Sequence, residues 1–236
     1  MTLIHLAEVP YRSIQGEGEV IGRPSVFIRC SGCNLRCSWC DSSFAWGEGT
    51  MTDIFTVVEV VRELLRPGDL ITITGGEPLL QMEALKNLIK ILQITNNDII
   101  IETNGTIDPK PLFEFGRTVK VGDEVRENFH PIVFSISPKL SNSGNPTKLH
   151  PNFAHFDFYL KFVICNPELD LVELEKWIQD CPIPVDNSKI ILQPNGMEHD
   201  YVGKLRDLMD YVKEHKLPYR VLPQLHRLVW GWRRRV

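Results

Sequence analysis

The sequence lacks several features that would place it in a membrane, secreted or nucleic-acid-binding class. No apolar run approaches the length of a transmembrane helix. Residues 1–5 carry no basic segment followed by an apolar stretch, so we expect no secretion signal. A formal net charge of −4 over 236 residues gives no support for a broad basic surface. We therefore expect a cytoplasmic protein with no membrane and no nucleic-acid partner.

Histidine pairs and a regular cysteine framework are also missing. The seven histidines form no close H-x3-H pair, so a histidine metal site has no support. Six cysteines are present, but three crowd into residues 33–40, whereas Cys30, Cys165 and Cys181 are scattered. This distribution is typical of a reducing compartment and a metal site rather than of disulfides. We expect the scattered three to be buried thiols.

The crowded cysteines, Cys33, Cys37 and Cys40, have the spacing C-x3-C-x2-C. Thiolates are soft ligands that select iron–sulfur clusters, zinc or Cu(I). Structural zinc usually takes four protein ligands, whereas a cubane held by three thiolates keeps one iron open to a reactive ligand. A zinc knuckle that borrows Cys30 or Asp41 as its fourth ligand is the alternative.

Strand-like and helix-like segments alternate along most of the chain, which indicates an α/β fold. The apolar pattern predicts strands over residues 24–30, 70–73, 99–101, 132–136, 158–164, 189–192 and 220–222. Helical periodicity covers residues 52–65, 85–92, 168–179 and 201–216. We predict one domain over residues 1–236, with a mostly parallel sheet and crossover helices. Polar and glycine-rich segments follow the strands and should face one cavity.

Four polar stretches stand out from this pattern. Arg29 lies near the end of an apolar strand and needs either a carboxylate ligand or an internal salt bridge. The glycines of Ser13–Gly18 and Thr74–Pro78 permit close approach to the backbone, although each stretch alone could be a turn. Residues 141–146 are predicted to form a flexible surface loop. Residues 230–235 could bind phosphate, but a solvated basic tail is the preferred interpretation.

The cysteine spacing, with the aromatic Trp39 before the third cysteine, resembles the signature of radical S-adenosylmethionine (SAM) enzymes. Thr74–Pro78 resembles their G-G-E-P element, which contacts the SAM amino group. The resemblance implies a partial (β/α)6-type barrel and a 4Fe–4S cluster on Cys33, Cys37 and Cys40. The open iron would chelate SAM, and one electron from the reduced cluster would generate a 5'-deoxyadenosyl radical that abstracts hydrogen.

Further motifs are similar to the 7-carboxy-7-deazaguanine synthase family of the queuosine pathway. They are residues 13–18, the turn at 22–24 with Arg29, and residues 40–42, 102–105, 137–139 and 193–194. The resemblance implies conversion of 6-carboxy-5,6,7,8-tetrahydropterin to 7-carboxy-7-deazaguanine with loss of ammonia, Mg2+ assistance and regeneration of SAM. It also implies an electron donor such as flavodoxin or ferredoxin, and a homodimer. A glycyl-radical activase would share the cysteine loop but would not explain residues 13–18 or Arg29.

The same resemblance implies roles for individual residues. SAM would be surrounded by Trp39, Cys40, Asp41, Gly76, Ser137, Pro138, Lys139, Gln193, Pro194, Asn195 and Gly196. The pterin would contact Ile14, Gln15, Gly16, Arg29 and Thr74. Ser42 would meet Mg2+ through its hydroxyl, where many family members have threonine. Some members use their terminal carboxylate at the substrate, but residues 232–236 do not resemble those ends.

Overall fold

A computed structural model describes residues 2–116, 118–121, 124–127 and 131–235. The strands are Leu3–Leu6 (β1), Tyr11–Ile14 (β2), Pro24–Cys30 (β3), Thr50–Asp53 (β4), Leu70–Gly75 (β5), Ile99–Thr103 (β6), Thr118–Val121 (β7), Glu124–Glu127 (β8), Val133–Ile136 (β9), Asp157–Ile164 (β10), Ile190–Pro194 (β11) and Arg220–Val221 (β12). The α-helices are Ile54–Leu64 (α1), Met82–Leu92 (α2), Pro167–Gln179 (α3), Tyr201–Glu214 (α4) and Leu225–Trp230 (α5).

The main sheet is mostly parallel, as the sequence predicts. Strands β3, β5, β6, β9, β10, β11 and β12 run side by side in this order, each parallel to the next. Beyond β3 the sheet becomes antiparallel, because β1 and β2 pair with β3 and β4 pairs with β1. The hairpin of β7 and β8 is separate. This architecture is consistent with a partial barrel.

Four connections contain the predicted crossover helices, and two differ. Helices α1, α2, α3 and α4 join β3 to β5, β5 to β6, β10 to β11 and β11 to β12. In the described residues, the connections from β6 to β9 and from β9 to β10 contain 3-10 turns instead of an α-helix. An aromatic cluster covers the sheet there, since the Phe134 ring packs edge-on against Phe153 at 5.0 Å and Phe156 at 4.9 Å.

The helices form where capping residues and apolar periodicity coincide. Asp53 caps α1, because its carboxylate accepts a hydrogen bond from Phe55 N at 2.8 Å. Helix α2 buries one face, including Leu85, Leu88 and Leu92, in the core that it shares with the sheet. Burying each such side chain stabilises the fold by about 2 kcal/mol. None of the helices in the described part of the chain is long and apolar enough to cross a membrane.

The parallel register brings the carboxyl ends of the strands to one edge. Cys30 pairs with Gly75, Thr103 with Ile136, and Ile164 with Pro194. The segments that follow these residues therefore meet above the same edge of the sheet.

Residues 141–146 lie at the surface, as predicted, since Ser141, Gly144 and Pro146 are exposed, but the segment also contacts residues 36–38. Ser143 is fully buried, and its carbonyl accepts a hydrogen bond from Ser38 N at 3.0 Å. Asn145 donates to Arg36 O at 3.0 Å. The polar composition of this turn therefore reflects hydrogen bonds to residues 36–38 as well as exposure to solvent.

Candidate active site

A cavity of about 280 Å³ lies at the carboxyl edge of the parallel strands. Most of the residues that the sequence assigns to SAM, the cluster, Mg2+ or the pterin line this cavity. They are Ile14, Gln15, Gly16, Arg29, Cys33, Cys37, Trp39, Cys40, Asp41, Ser42, Thr74, Gly76, Ser137, Lys139, Gln193 and Gly196.

Three residues assigned to SAM, Pro138, Pro194 and Asn195, are not among those that line the cavity. All three are buried. Asn195 stabilises the turn in which it lies, because its Oδ1 accepts a hydrogen bond from Met197 N at 3.0 Å and its backbone N–H donates to Ile164 O at 3.1 Å. Their positions fit a role in shaping the turns, and the expected contact of these three with SAM stays a prediction.

Backbone and side-chain hydrogen bonds fix the cysteine loop, residues 31–46. At its base, Gly32 N donates to Ala45 O at 2.8 Å, and Gly32 O accepts from Glu77 N at 2.8 Å. Further along, Asn34 Oδ1 accepts from Asn104 Nδ2 at 2.8 Å. The loop is thus held by the turns after β5 and β6.

The three thiols fit a thiolate-bound cluster. Cys33, Cys37 and Cys40 all line the cavity, and burial raises the pKa of the Cys40 thiol to about 11. A bound metal removes such a proton outright, because it stabilises the thiolate. Cys30 is fully buried in the core, does not line the cavity, and has a pKa raised to about 12 by burial. Its burial argues against a zinc knuckle that uses Cys30 as fourth ligand.

The other scattered cysteines are less buried than expected. Cys165 and Cys181 are half-buried free thiols, whereas Cys30 matches the prediction of a buried one. Neither Cys165 nor Cys181 lines the cavity. They therefore stay outside the candidate cluster site.

The glycine turn after β5 presents backbone to the cavity. Gly75 has φ +141°, and a Cβ at Gly76 would collide with the backbone of Gly32. The carboxylate of Glu77, the acidic residue of the segment that resembles the G-G-E-P element, is fully buried and does not line the cavity. It accepts hydrogen bonds from Thr103 Oγ1 at 2.8 Å and Asn104 N at 2.7 Å. Glu77 therefore supports the turn, and the glycine backbone faces the ligand space.

Both alternatives for Arg29 find support in its position. Arg29 Nε donates to Glu8 Oε1 at 2.7 Å in an internal salt bridge. Its other nitrogens point to Ser42 Oγ at 3.4 Å and Tyr11 OH at 3.3 Å, and the residue lines the cavity. The guanidinium is thus held in place by Glu8 while remaining available to an anionic ligand.

Two acidic residues of the cavity have no assigned role in the sequence analysis. Glu102 accepts hydrogen bonds from Thr74 Oγ1 at 2.6 Å and Gln15 Nε2 at 3.2 Å. Glu17 forms a buried ion pair with Lys161. Burial alone would raise the pKa of Glu17, but the charges of Lys161 and His226, together with hydrogen bonds from Lys161 and Gln224, outweigh it and lower that pKa to about 2. The signal was present, because Lys161 is a charge within an apolar strand, just as Arg29 is.

The Gln15 amide has partners for both of its polar atoms. Its Nε2 reaches Thr72 Oγ1 at 3.3 Å as well as Glu102, and its Oε1 accepts from Glu17 N at 3.2 Å. The amide therefore contacts the Glu102 carboxylate and the backbone N–H of Glu17, so both of its polar atoms have partners within the protein.

Residues 232–235 of the basic tail are exposed to solvent, as predicted, but the tail also makes contacts at the cavity that the sequence does not predict. Arg234 and Arg235 bind the buried carboxylate of Glu8 at 3.1 and 3.0 Å. The Arg234 guanidinium also lies 3.5 Å from the centre of the Phe44 ring. Residues 231–235 line the cavity, so the tail forms part of its wall.

Two buried amide oxygens point to a ligand with hydrogen-bond donors. Gln193 Oε1 and Gln224 Oε1 have no hydrogen-bond partner within the described ranges, although both residues line the cavity. Gln224 Nε2 donates to Glu17 Oε1 at 2.6 Å, which directs the amide. Since buried acceptors are normally satisfied, a cavity with thiols, cations and two free acceptors fits a polar ligand beside a thiolate-bound group.

Comparison with known proteins assigns the family. Residues 27–121 match the model of the radical SAM superfamily. The chain is 42% identical over 233 residues to the 7-carboxy-7-deazaguanine synthase of Koribacter versatilis, covering 93% of this chain and 94% of that protein. It is 32% identical over 226 residues to that of Pyrobaculum aerophilum, covering 94% and 92%. The crystal structure of QueE from Escherichia coli has the same fold, with a TM-score of 0.65, 22% identity and 96% of each chain covered. The chain belongs to the 7-carboxy-7-deazaguanine synthase family of radical SAM enzymes.

Proposed function

We propose that this protein converts 6-carboxy-5,6,7,8-tetrahydropterin to 7-carboxy-7-deazaguanine, with loss of ammonia, in queuosine biosynthesis. The observation that carries the proposal is the similarity to enzymes of that name over more than nine-tenths of the chain. The cavity adds chemical support, because thiols, cations and hydrogen-bond acceptors converge in a space of about 280 Å³.

Radical SAM enzymes use a 4Fe–4S cluster and SAM, and three thiols of this chain suit the cluster. Cys33, Cys37 and Cys40 would hold it. When bound, the cluster and SAM supply hydrogen-atom abstraction from the substrate. Residues that line the same cavity would surround SAM: Trp39, Asp41, Gly76, Ser137, Lys139, Gln193 and Gly196. The exposed backbone at Gly76 and the Lys139 amine suit the amino-acid end of SAM.

The pterin would lie between β2, β3 and β5. Arg29 suits its carboxylate, because a guanidinium binds carboxylates in a planar fork. Glu8 holds Arg29 for this task through the contact at 2.7 Å. Glu102, oriented by Gln15 and Thr74, offers acceptor oxygens for the N–H groups of the pterin ring. Ile14 and Gly16 would complete this wall.

Mg2+ would bind beside Ser42. Its hydroxyl lies 3.0 Å from Asp41 Oδ1, so two oxygen ligands of the kind that Mg2+ prefers are adjacent. We further propose a single domain, a homodimer, an electron donor such as flavodoxin or ferredoxin, and a cytoplasmic location. These proposals rest on the family resemblance and on the reducing chemistry that a 4Fe–4S cluster requires.

The test is turnover under anaerobic conditions. The reconstituted and reduced protein is incubated with SAM, Mg2+ and the carboxypterin, and the product is identified by mass spectrometry. We expect 7-carboxy-7-deazaguanine, with SAM recovered unchanged. The Cys37→Ala variant, treated identically, is the matched control and should give none. Stoichiometric consumption of SAM without a pterin-derived product would reject the proposal.

A further inference from the structure

A hydrogen-bonded chain links the wall of the SAM cavity to the sheet behind it. It runs from Trp39 through Asn142 to Asp170 and the start of α3. We infer that Asn142 is a positioning residue for SAM binding, which acts by fixing the indole of Trp39. The inference rests on the proposed function, because it concerns how the same cavity receives SAM.

The Asn142 amide is oriented by what its two ends can bind. Its Nδ2 donates to Val163 O at 3.0 Å and to Asp170 Oδ2 at 2.8 Å, and both of these partners are acceptors only. Its Oδ1 therefore points away from them, and it accepts a hydrogen bond from Trp39 Nε1 at 3.1 Å. The indole is donor only, so no other orientation of the amide satisfies all three groups.

Asp170 gives this chain a rigid anchor. The residue is 5% exposed and lies in the first turn of α3. Its Oδ2 also accepts from Cys165 N at 2.7 Å and Asn166 N at 2.9 Å. The carboxylate is thus fixed by backbone groups between β10 and α3. A displacement of Asn142 would have to break several hydrogen bonds of a buried network.

The hydrogen bond from Trp39 to Asn142 affects the shape of one wall of the cavity. Trp39 lines it between the ligand positions Cys37 and Cys40. Lys139 Nζ lies 5.1 Å from the centre of the indole ring and donates to Ser137 Oγ at 2.8 Å. Without the bond to Asn142, the ring would be free to rotate away from Lys139. The pocket would then lose a preorganised surface, which weakens ligand binding without removing any group that touches the pterin.

The first test uses the full-length protein without SAM. Hydrogen exchange of the Trp39 indole N–H is measured by NMR, with the resonance assigned by its loss in Trp39→Phe. Asn142→Ala should accelerate this exchange about fivefold, which is the effect of one neutral hydrogen bond. Ser141→Ala is the matched control in the same turn, since the Ser141 hydroxyl binds Glu173 at 2.8 Å instead of the cysteine loop. Equal exchange in Asn142→Ala and wild type would overturn the inference.

The second test measures SAM affinity from the SAM-induced change in the EPR spectrum of the reduced cluster. Asn142→Ala should raise the SAM dissociation constant about fivefold, with the KM for pterin nearly unchanged. Trp39→Phe removes the same bond from the other side while leaving the turn intact. Asn142→Ala should add nothing further in that background. An equal additional loss there would show that Asn142 acts by another route. If wild-type protein bound no SAM, the proposed function would fail, and the indole exchange would still decide the role of Asn142.

Discussion

The Glu8 carboxylate at the cavity binds three arginines, and we predict that Glu8→Gln destabilises the protein strongly. Its side chain is 2% exposed and binds Arg29, Arg234 and Arg235. The Arg29 side chain is only 15% exposed, so loss of the Glu8 charge leaves a buried cation without its partner. Breaking such a buried pair costs about 3 to 5 kcal/mol.

The two other arginines add little to this magnitude. The side chains of Arg234 and Arg235 are 53% and 50% exposed, and ion pairs of exposed groups contribute less than about 1 kcal/mol each. We therefore expect Glu8→Gln to lower the free energy of unfolding by about 3 kcal/mol. For a chain of this length, the melting temperature should fall by about 6 to 12 °C.

Chemical and thermal unfolding of the full-length protein at pH 7 measures this change. Arg235→Ala is the matched control, because it removes a partner of the same carboxylate and should cost less than about 1 kcal/mol. A Glu8→Gln variant within about 1 kcal/mol of wild type would refute the reasoning, since the buried guanidinium would then not depend on its counter-charge.

The pH dependence of the free energy of unfolding gives a second test of the contribution that Glu8 makes to stability. Burial raises the pKa of Glu8, but hydrogen bonds from Arg235 and Arg29, together with the charge of Arg29, outweigh it and lower that pKa below the usual value. A carboxylate with a lowered folded-state pKa stabilises the protein above its unfolded pKa, about 4.3. This stability is lost as the pH falls through the folded pKa. The difference between wild type and Glu8→Gln should therefore shrink in that acidic range.

Four further predictions concern single side chains. Cys37→Ala should abolish activity while far-UV circular dichroism stays that of wild type, because the proposed role of the thiol is to bind the cluster and Cys37 is not part of the core cluster; activity near the wild-type rate would contradict the assignment. Arg29→Ala should raise the KM for the carboxypterin at least tenfold, the scale of a charged hydrogen bond, and an unchanged KM would remove Arg29 from the substrate site. Lys161→Met should lower the free energy of unfolding at neutral pH by about 3 kcal/mol, because the buried Glu17 carboxylate loses its cation. This loss of stability should become smaller on acidification, because Glu17 then takes up a proton. A loss of stability that does not change with pH, measured by urea unfolding, would contradict this cause. Ser42→Ala should raise the Mg2+ concentration needed for half-maximal activity, whereas Ser42→Thr keeps the hydroxyl and should match wild type; equal Mg2+ dependence of the two variants would exclude Ser42 as a ligand.

The sequence predicts the sheet and its helices well because their signals are local. Strand β3 has the predicted bounds of 24–30, and helices α1 and α3 end within about two residues of the expected positions. The residues that give an element its apolar periodicity and its cap lie within that element or directly beside it, as Asp53 before α1 illustrates. The connections from β6 to β9 and from β9 to β10 show no helical periodicity, which agrees with the absence of α-helix in their described residues.

In the candidate site, by contrast, several contacts could not be predicted from the sequence. The cysteines and the glycine turn are recognisable because their spacing is part of the chemistry. The contact of Glu8 with Arg234 and Arg235 spans more than 220 residues, and no local pattern encodes such a pairing. The same holds for Asn142. The composition of residues 141–146 predicts a surface loop, but it does not reveal that the partners of Asn142 are Trp39 and Asp170. Long-range partners decide whether a polar residue is exposed or buried.

The aromatic cluster of Phe134, Phe153 and Phe156 covers the sheet where the connection from β9 to β10 contains 3-10 turns instead of an α-helix. An α-helix retains some order through its own ladder of hydrogen bonds, whereas a 3-10 turn of a few residues does not. The cover over β9 therefore depends on the packing of Phe153 and Phe156, from the connection to β10, against Phe134 of the strand. We therefore expect local unfolding to begin on this side of the sheet, where the 3-10 turns depend on contacts with neighbouring residues and not on hydrogen bonds within a helix.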